Sequence, residues 1–256
     1  MGLLSTNKLK IAVSTVVLTM LPAIANAADS MLKSDDYVGI SFWTISMAMV
    51  AATVFFLMEA GRLSGKWKTS MTVGALVTLV AAVHYFYMRD VWASTGASPT
   101  VYRYVDWLIT VPLQMVEFYF ILAAVAAVSA GIFWRLLIGS LVMLVAGYLG
   151  EAGLISAWAG FIVGLAGWAY ILYEIFAGEA GKVSAESAPA SVQSAFGTMR
   201  LIVTIGWAIY PLGYFFGYLS GSVDAVTLNV IYNVADVVNK IAFVGVIWAA
   251  ANAETK

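Results

Sequence analysis

The stretch VDAVTLNVIYNVADVVNKIAFVGVIWAAA, residues 223–251, decides the fold of this chain. It is longer than the roughly 20 apolar residues that a helix needs to cross a bilayer. Apart from Asp224 near its start, its only charged side chains are Asp236 and Lys240. A lysine inside a membrane helix is costly and is seldom kept without a function. Because the two residues are four apart, they share one face of a helix. The segment therefore predicts a membrane-spanning helix with a charged site at its centre.

The composition of the whole chain indicates a membrane protein as well. Of its 256 residues, 62% are hydrophobic and 11% are charged, whereas soluble domains carry about 25% charged residues. The formal net charge is −1 and no basic block occurs, so nucleic acid is not an expected partner. The sequence has no cysteine and one histidine, which argues against disulfides, thiol nucleophiles and a metal site. It also lacks a phosphate-cradling glycine-rich motif and a nucleophile elbow, so we do not expect an enzyme.

The N-terminus has the pattern of an export signal. Two lysines precede an apolar run from Ile11 to Leu21 that is too short to span a bilayer, and Ala25-Asn26-Ala27 fits a small-x-small cleavage site. The alternative is a short first membrane helix. We predict that residues 1–27 are a cleavable signal peptide and that residues 28–256 form a single domain.

Seven apolar stretches follow, and they predict an all-α membrane protein, a seven-transmembrane-helix bundle in the lipid bilayer. The stretches are Gly39–Glu59, Thr69–Met88, Thr100–Ala127, Ile132–Leu149, Leu154–Phe176, Met199–Leu219 and Val223–Ala251. Because a helix satisfies its backbone hydrogen bonds internally, a helical bundle is the expected architecture in lipid. The connections are short except residues 178–195, which are rich in Gly, Ala, Ser and Glu and predict a mobile loop.

The positive charges between the spans predict an orientation. Seven of them fall on one side, whereas only Lys33 and Arg89 fall on the other. The seven are Arg62, Lys66, Lys68, Arg135, Lys182, Arg200 and Lys256. Since the side rich in Lys and Arg faces the cytoplasm, we expect the mature N-terminus outside and the C-terminus inside. A cleaved export signal requires the same orientation.

A few ionisable side chains remain inside the predicted spans. They are His84, Arg103, Asp106, Glu117, Asp236 and Lys240. Buried charges must pair or neutralise, and Arg103 lies three residues before Asp106 on one helix face. We therefore expect Arg103 beside Asp106, and the carboxylates of Asp106 and Asp236 against the two cations. The alternative is that such ion pairs only fix the packing of the helices.

Glu117 differs from the other two carboxyls. It follows Asp106 by eleven residues, which is about 16 Å along a helix and returns it to nearly the same face. Its neighbours in sequence are mostly apolar, so that desolvation favours its protonated form. Asp106, expected beside a cation, should instead ionise. A protonated and an ionised carboxyl on one face predict a proton donor and a proton acceptor.

Aromatic side chains accompany these charges. Trp107 follows Asp106, and Trp207, Tyr210 and Tyr214 recur on one face of the sixth span. Such residues most often serve packing or the membrane interface. However, a flat apolar slot beside a lysine suits a long conjugated aldehyde, which the amine can bind as a Schiff base. Pro211 is expected to remove a hydrogen bond and kink its helix.

Three motifs resemble those of the microbial rhodopsin family. The segment Arg103-Tyr-Val-Asp106-Trp107-Leu-Ile-Thr110-Val-Pro112-Leu is similar to the third helix of the family, Trp207-Ala-Ile-Tyr210-Pro211 to the sixth, and Asp236-Val-Val-Asn-Lys240 to the seventh. The likeness extends over all seven spans and is greatest to the proteorhodopsin branch from marine bacteria. The export signal and the paired carboxyls of Asp106 and Glu117 both fit that branch.

The resemblance implies that Lys240 holds all-trans retinal as a protonated Schiff base. It further implies that Asp106 is the primary counterion and proton acceptor, that Asp236 is the second counterion, and that Glu117 is the proton donor on the cytoplasmic side. Arg103 would tune the outer side, and Thr110 completes the Asp-Thr-Glu triplet typical of outward proton pumps. Residues implied around retinal are Trp107, Gln114, Trp168, Trp207, Tyr210 and Pro211. Sodium and chloride pumps of the family replace these carboxyls, which disfavours those functions.

Two further residues are interpreted through the family. His84 lies at the depth of Asp106, so a hydrogen bond between them is expected, and the matching histidine of proteorhodopsins lies near a subunit contact. The alternative is a histidine bonded to a backbone carbonyl. Gln114 stands where green-absorbing members have leucine and blue-absorbing members have glutamine, which predicts a blue-absorbing pigment.

These observations predict a light-driven outward proton pump in the inner membrane of a bacterium. From the resemblance we also expect a homo-oligomer, a pentamer or hexamer. A sensory photoreceptor that signals to a membrane transducer is the alternative, although sensory members often lack a carboxyl at the Glu117 position. A pump with a carotenoid antenna is a third reading, in which Gly164 and Gly167 open the pocket wall. Glu151 is a candidate for proton release.

Overall fold

The structure, a computed structural model, describes residues 32–255, and the predicted signal peptide, residues 1–27, lies outside this range. Within it, seven helices are long and apolar enough to cross a membrane, as predicted. These first to seventh spans are Tyr37–Ala60, Gly65–Thr95, Thr100–Val125, Ala130–Glu151, Ala157–Ser187, Ala190–Leu219 and Ala225–Glu254. Residues 32–255 contain no strand. The chain is therefore an all-α bundle.

The seven spans form a closed bundle. Consecutive spans pack side by side from the first to the fifth, and the seventh packs against the first, second and sixth. The third span is the most buried of the seven. Since short connections make consecutive spans antiparallel, the basic residues between the spans gather at one end, which we call the basic end. It is defined by Arg62, Lys66, Lys68, Arg135, Lys182 and Arg200.

The start of the first span and the end of the second are joined at the opposite end of the bundle. The Asp36 carboxylate accepts a hydrogen bond from the N–H of Gly39 at 2.8 Å, which caps the first span. The same oxygen accepts from the indole Nε1–H of Trp92 at 2.9 Å. The second span ends at Gly96, whose φ of 65° is the left-handed conformation that glycine adopts without strain.

Residues 178–195 are not the mobile loop that their composition predicts. Residues Glu179–Ser187 form the helix that ends the fifth span, and the sixth span begins at Ala190. Alanine and glutamate favour helices, and Pro189 sits just before a helix, where its missing N–H costs nothing. The prediction was wrong because glycine, serine and proline were taken as breakers without regard to the helix formers between them.

A partly buried ion-pair cluster anchors this helical connection to the fourth span. The Arg135 guanidinium contacts Glu174 through Nε at 2.9 Å and through Nη2 at 3.0 Å. Its Nη2 also donates to Glu179 at 2.5 Å. Glu174 in turn accepts the backbone N–H of Ala180 at 3.1 Å. One arginine thus joins the two helices of the fifth span, Ala157–Phe176 and Glu179–Ser187, at the point where they meet.

The sixth and seventh spans are interrupted by π-helical segments, which often mark functional sites. In the sixth, Ile202–Gly206 and Phe215–Leu219 flank a short α-helix, Ile209–Tyr214, that contains Pro211. In the seventh, Val238–Ala242 separates Ala225–Val237 from Phe243–Glu254 and contains Lys240. The irregular backbone of the two spans therefore lies next to the residues singled out in the sequence.

Candidate functional site

The centre of the bundle holds one lysine between two carboxylates. Lys240 is 2% exposed, and both aspartates are fully buried. Its Nζ donates to Asp106 Oδ2 at 2.6 Å and to Asp236 Oδ2 at 2.9 Å. The third and seventh spans thus meet at an ion triad that carries two negative charges and one positive charge.

Asp236 is the more strongly bound of the two carboxylates. The hydroxyls of Tyr85 and Tyr210 each donate to it at 2.7 Å, one to each oxygen. The indole Nε1–H of Trp107 reaches the same carboxylate at 3.3 Å. With Lys240 as the fourth donor, both oxygens of Asp236 are satisfied, which stabilises its ionised form.

Asp106 is bound much more sparsely. Its Oδ2 accepts only from Lys240, and its Oδ1 is buried without a hydrogen-bond partner among the described residues. The hydroxyl of Thr110 donates to the backbone carbonyl of Asp106 at 3.0 Å, not to its carboxylate. Asp106 therefore has an oxygen with free lone pairs next to the lysine nitrogen.

His84 does not form the hydrogen bond to Asp106 that was expected from their matching depths. Its Nδ1 lies 2.9 Å from the carbonyl oxygen of Val80, one turn earlier on the same helix. Because a carbonyl only accepts, Nδ1 carries the proton there, and a neutral ring then has no N–H left to donate to a carboxylate. The alternative considered for this histidine, a bond to a backbone carbonyl, is the one that the structure contains. The roles of His84 and Thr110 stay predictions.

Arg103 does not pair with Asp106, contrary to expectation. Its Nη2 donates to the side-chain oxygens of Asn229 at 2.9 Å and Asn233 at 3.0 Å, both on the seventh span. Three aromatic rings surround the guanidinium within 5.9 Å. The expectation was wrong because Lys240, from another helix, occupies the carboxylate of Asp106. Amide oxygens and ring faces hold Arg103 instead.

Glu117 lies apart from this cluster, in an apolar part of the interior. It is 0% exposed, and its Oε1 has no hydrogen-bond partner among residues 32–255. Its Oε2 accepts a hydrogen bond from the hydroxyl of Ser70, on the second span. The adjacent Phe118 packs edge-on against Phe196 and Phe243. Among the described residues, the Ser70 hydroxyl is thus the one side-chain group that bonds to this carboxyl.

A cavity walled by apolar and aromatic side chains begins at Lys240. All six residues expected around a bound group line it, together with Asp236, Met143, Leu144 and Phe161 on its walls. The six are Trp107, Gln114, Trp168, Trp207, Tyr210 and Pro211. The amide of Gln114 donates to the backbone carbonyl of Asn239 at 3.0 Å. The site therefore combines a buried primary amine with a flat, aromatic slot.

Several residues of the site were missed in the sequence. Tyr85, Ser70 and Asn239 each make a side-chain hydrogen bond to, or next to, a predicted site residue. Their partners lie 151, 47 and 33 residues away in the chain, respectively. The only available signal was that Asn239 directly precedes the lysine. Glu151, singled out at low priority, accepts a hydrogen bond from the Tyr104 hydroxyl at 2.9 Å.

Comparisons with known proteins agree on one family. The sequence model of the bacteriorhodopsin-like protein family matches residues 36–254. A green-light absorbing proteorhodopsin of Gamma-proteobacterium EBAC31A08 is 55% identical over 92% of this chain and 94% of the relative. A blue-light absorbing proteorhodopsin of Gamma-proteobacterium Hot 75m4 is 54% identical over the same shares. The crystal structure of blue light-absorbing proteorhodopsin from Med12 superposes with a TM-score of 0.75 and 52% identity, over 86% of this chain and 100% of that one.

Proposed function

The chain belongs to the bacteriorhodopsin-like protein family, and we propose that it is a light-driven pump that carries protons out of the cell. The observation that carries this proposal is the unequal binding of three buried carboxyls, Asp106, Asp236 and Glu117, around one lysine. The seven spans and the bacterial relatives make it a multi-pass bacterial membrane protein, and we place it in the inner membrane.

The residues fit retinal, the cofactor of this family. Lys240 Nζ lies at one end of the aromatic cavity, and the buried Asp106 Oδ1 beside it has no partner among the described residues. Bound to Lys240 through a protonated Schiff base, retinal supplies light absorption and a light-driven change of shape at the lysine nitrogen. Trp107, Trp207 and Tyr210 hold such a chain flat and keep water away from it.

The two carboxylates next to Lys240 have different tasks. Asp236 is held by two tyrosine hydroxyls and an indole, so that it keeps its charge and balances the positive nitrogen. Asp106 has an oxygen without a donor, and it accepts the proton from the lysine nitrogen. Proton transfer follows the smaller loss of hydrogen bonds, which favours Asp106 as the acceptor.

Glu117 returns a proton to the lysine nitrogen. No cation of the described part of the chain lies within hydrogen-bond distance of its carboxyl, and a buried carboxyl without one is stable in its protonated form. Since it lies on the third span nearer to the basic end than Asp106, it receives protons from that end. Arg103 stabilises negative charge on the other side of the triad.

The direction of transport rests on the orientation of the bundle. The basic end carries six positive residues among the described ones, and such ends face the cytoplasm. Glu117 is then on the cytoplasmic side and Asp106 on the outer side. Proton transfer to Asp106 and refilling by Glu117 therefore move charge outward. The sensory alternative is not favoured, because sensory members of the family often lack a carboxyl at the position of Glu117. The homo-oligomer stays a prediction.

The experiment that tests this function is light-driven proton flux in cells that carry the protein and all-trans retinal. We expect acidification of the medium in light, carried by the wild-type protein. The Lys240→Ala variant should form no pigment and show no flux, because no other amine lies in the cavity among the described residues. Lys182→Ala, an exposed cation at the basic end, is the matched control and should pump normally. Alkalinisation of the medium by the wild type would contradict the outward direction.

Blue absorption is proposed from Gln114 alone. The relatives that absorb green and blue light match almost equally well, so overall identity does not choose between them. The Gln114 amide lies in the wall of the cavity and is fixed by its bond to Asn239. A polar group fixed there favours the ground-state charge distribution of the chromophore. Gln114→Leu should shift the absorption maximum to the red, and an unchanged spectrum would rule the idea out.

A further inference from the structure

Three backbone carbonyls around the cavity have exchanged their helical partners for side chains of other helices. In a regular α-helix the N–H of Trp207 would donate to the carbonyl of Val203, but here it donates to the carbonyl of Ile202 at 3.0 Å. The Val203 carbonyl instead accepts the indole Nε1–H of Trp168, on the fifth span, at 3.0 Å. A π-helical segment thus releases a carbonyl, and a neighbouring helix binds it.

The same exchange occurs three residues later at Gly206. Its regular partner would be the N–H of Tyr210, which donates to Trp207 at 3.1 Å instead. The carbonyl of Trp207 is free to accept this bond, because the residue that would donate to it in a regular helix is Pro211, which has no N–H. The released Gly206 carbonyl accepts from Asn239 Nδ2 at 3.0 Å. A proline in the sixth span is therefore linked, through one carbonyl, to the seventh span.

Asn239 is itself in a π-helical segment and directly precedes Lys240. The N–H of Phe243, which would reach Asn239 in a regular helix, donates to the Lys240 carbonyl. The Gln114 amide of the third span donates to the Asn239 carbonyl at 3.0 Å. Asn239 is 2% exposed, and its Nδ2 also lies 3.2 Å from the Tyr210 hydroxyl. One residue thus contacts the third and sixth spans at once.

We propose that Asn239 is a positioning residue for Lys240. By binding the Gly206 carbonyl, it fixes the turn of the seventh span that carries the lysine. By accepting Gln114 and contacting Tyr210, it also sets the position of that turn relative to Asp236, to which the Tyr210 hydroxyl donates. The direction in which Lys240 presents its amine to the two aspartates is therefore determined partly from the sixth span.

The close approach of Asn239 to the Cα atom of Gly206 supports this inference independently of the hydrogen bonds. A Cβ atom added to Gly206 would collide with the side-chain oxygen of Asn239, and the three atoms nearest to it all belong to the Asn239 amide. The two residues therefore fit only as a pair. A methyl group at position 206 should push Asn239 away from its carbonyl, and it should be tolerated once Asn239 is shortened.

The test is a pair of single variants and their combination, Asn239→Ala, Gly206→Ala and the double variant. We expect deuterium exchange of the amides in residues 202–212 to become about tenfold faster in each single variant, because hydrogen bonds that hold the segment are lost. The double variant should exchange no faster than Asn239→Ala alone. Asn252→Ala is the matched control, since Asn252 donates only within its own helix, to the Trp248 carbonyl, and it should leave exchange unchanged.

The absorption maximum of the pigment in the dark distinguishes positioning from simple packing. Both single variants should shift it by several nanometres and the control should not, because only a displaced Lys240 changes its distance to the aspartates. The proposal would be overturned if the effects of the two substitutions on amide exchange added up in the double variant. It would also be overturned if the single variants left the absorption maximum unshifted. The inference rests on retinal binding to Lys240 but not on transport. The exchange measurement needs neither light nor retinal, so its outcome is separate from that of the flux experiment.

Discussion

The two halves of the third span hold their carboxyl groups in opposite ways. Asp106 lies in a dense polar cluster, next to a lysine and a second aspartate that two tyrosines and a tryptophan bind. Glu117, eleven residues on, accepts a hydrogen bond from one serine hydroxyl, and its neighbour Phe118 packs against two phenyl rings. Both carboxyls are fully buried. Burial therefore does not distinguish the two carboxyls. They differ in the hydrogen-bond donors that neighbouring helices supply to them.

This difference supports the proposal that one helix holds both a proton acceptor and a proton donor. A carboxylate is stable in a protein interior only where cations and N–H or O–H donors replace water. The second, sixth and seventh spans supply such groups around Asp106 and Asp236, but among the side chains of residues 32–255 Ser70 alone supplies one to Glu117. The bundle therefore favours a charge at one level of the third span and a bound proton at the other.

The largest expected effect comes from removing the charge in the polar half. Asp106→Asn deletes the acceptor, because an amide nitrogen cannot take the proton and its oxygen binds it weakly. Proton flux in light should fall to the level of cells without the protein, while the pigment still forms. Asp224→Asn is the control, since Asp224 is an exposed helix cap and asparagine caps equally well. Flux that survives in Asp106→Asn would assign the acceptor role to Asp236.

A smaller effect is expected from the apolar half. Glu117→Gln keeps the shape of the side chain but removes the proton that it delivers. The pigment should keep its absorption maximum, and its return to the dark state should slow by on the order of 100-fold, the typical contribution of a positioned general acid. Flash spectroscopy measures this recovery. Glu179→Gln, an ion-pair partner of Arg135 at the basic end, should recover at the wild-type rate. Normal recovery in Glu117→Gln would mean that the donor lies elsewhere.

The smallest effect concerns the Ser70 hydroxyl, which donates from the second span to Glu117 in the apolar half. Ser70→Ala removes the hydrogen bond that stabilises the Glu117 carboxylate after its proton has left. Recovery in flash spectroscopy should slow by about fivefold, in line with roughly 1 kcal/mol for one hydrogen bond. Ser70→Thr keeps the hydroxyl and should recover faster than Ser70→Ala. Ser140→Ala tests the effect of deleting a buried serine in general, because Ser140 donates only to Leu137 in its own helix.

Much of the fold could be predicted from the sequence, because hydropathy and helix length alone define membrane spans. The seven predicted spans correspond to the seven observed ones, although the second span extends to Thr95 and the sixth begins at Ala190. The connection around residues 178–195 could not be predicted well. Its helix depends on Arg135, which lies more than forty residues earlier in the chain and fixes Glu179.

Within the site, contacts along one helix were predicted better than contacts between helices. The pairing of Asp236 with Lys240 follows from their spacing and is present. The pairing of Arg103 with Asp106 follows from the same rule and is absent, because Lys240 from another helix takes the carboxylate. Spacing states which residues share a face, but competition between helices decides which of them bond. Ser70 and Tyr85 were missed for the same reason.

The anchored connection between the fifth and sixth spans has a consequence for protein engineering. Arg135 clamps its first helix, and the following helix begins directly after Pro189, so that the connection has almost no slack chain. A fluorescent or affinity tag inserted within Glu179–Ser187 would break the helix and release the clamp. The step at Ala188-Pro189 is the one joint between the two helices, and it is where an insertion at this connection should be placed.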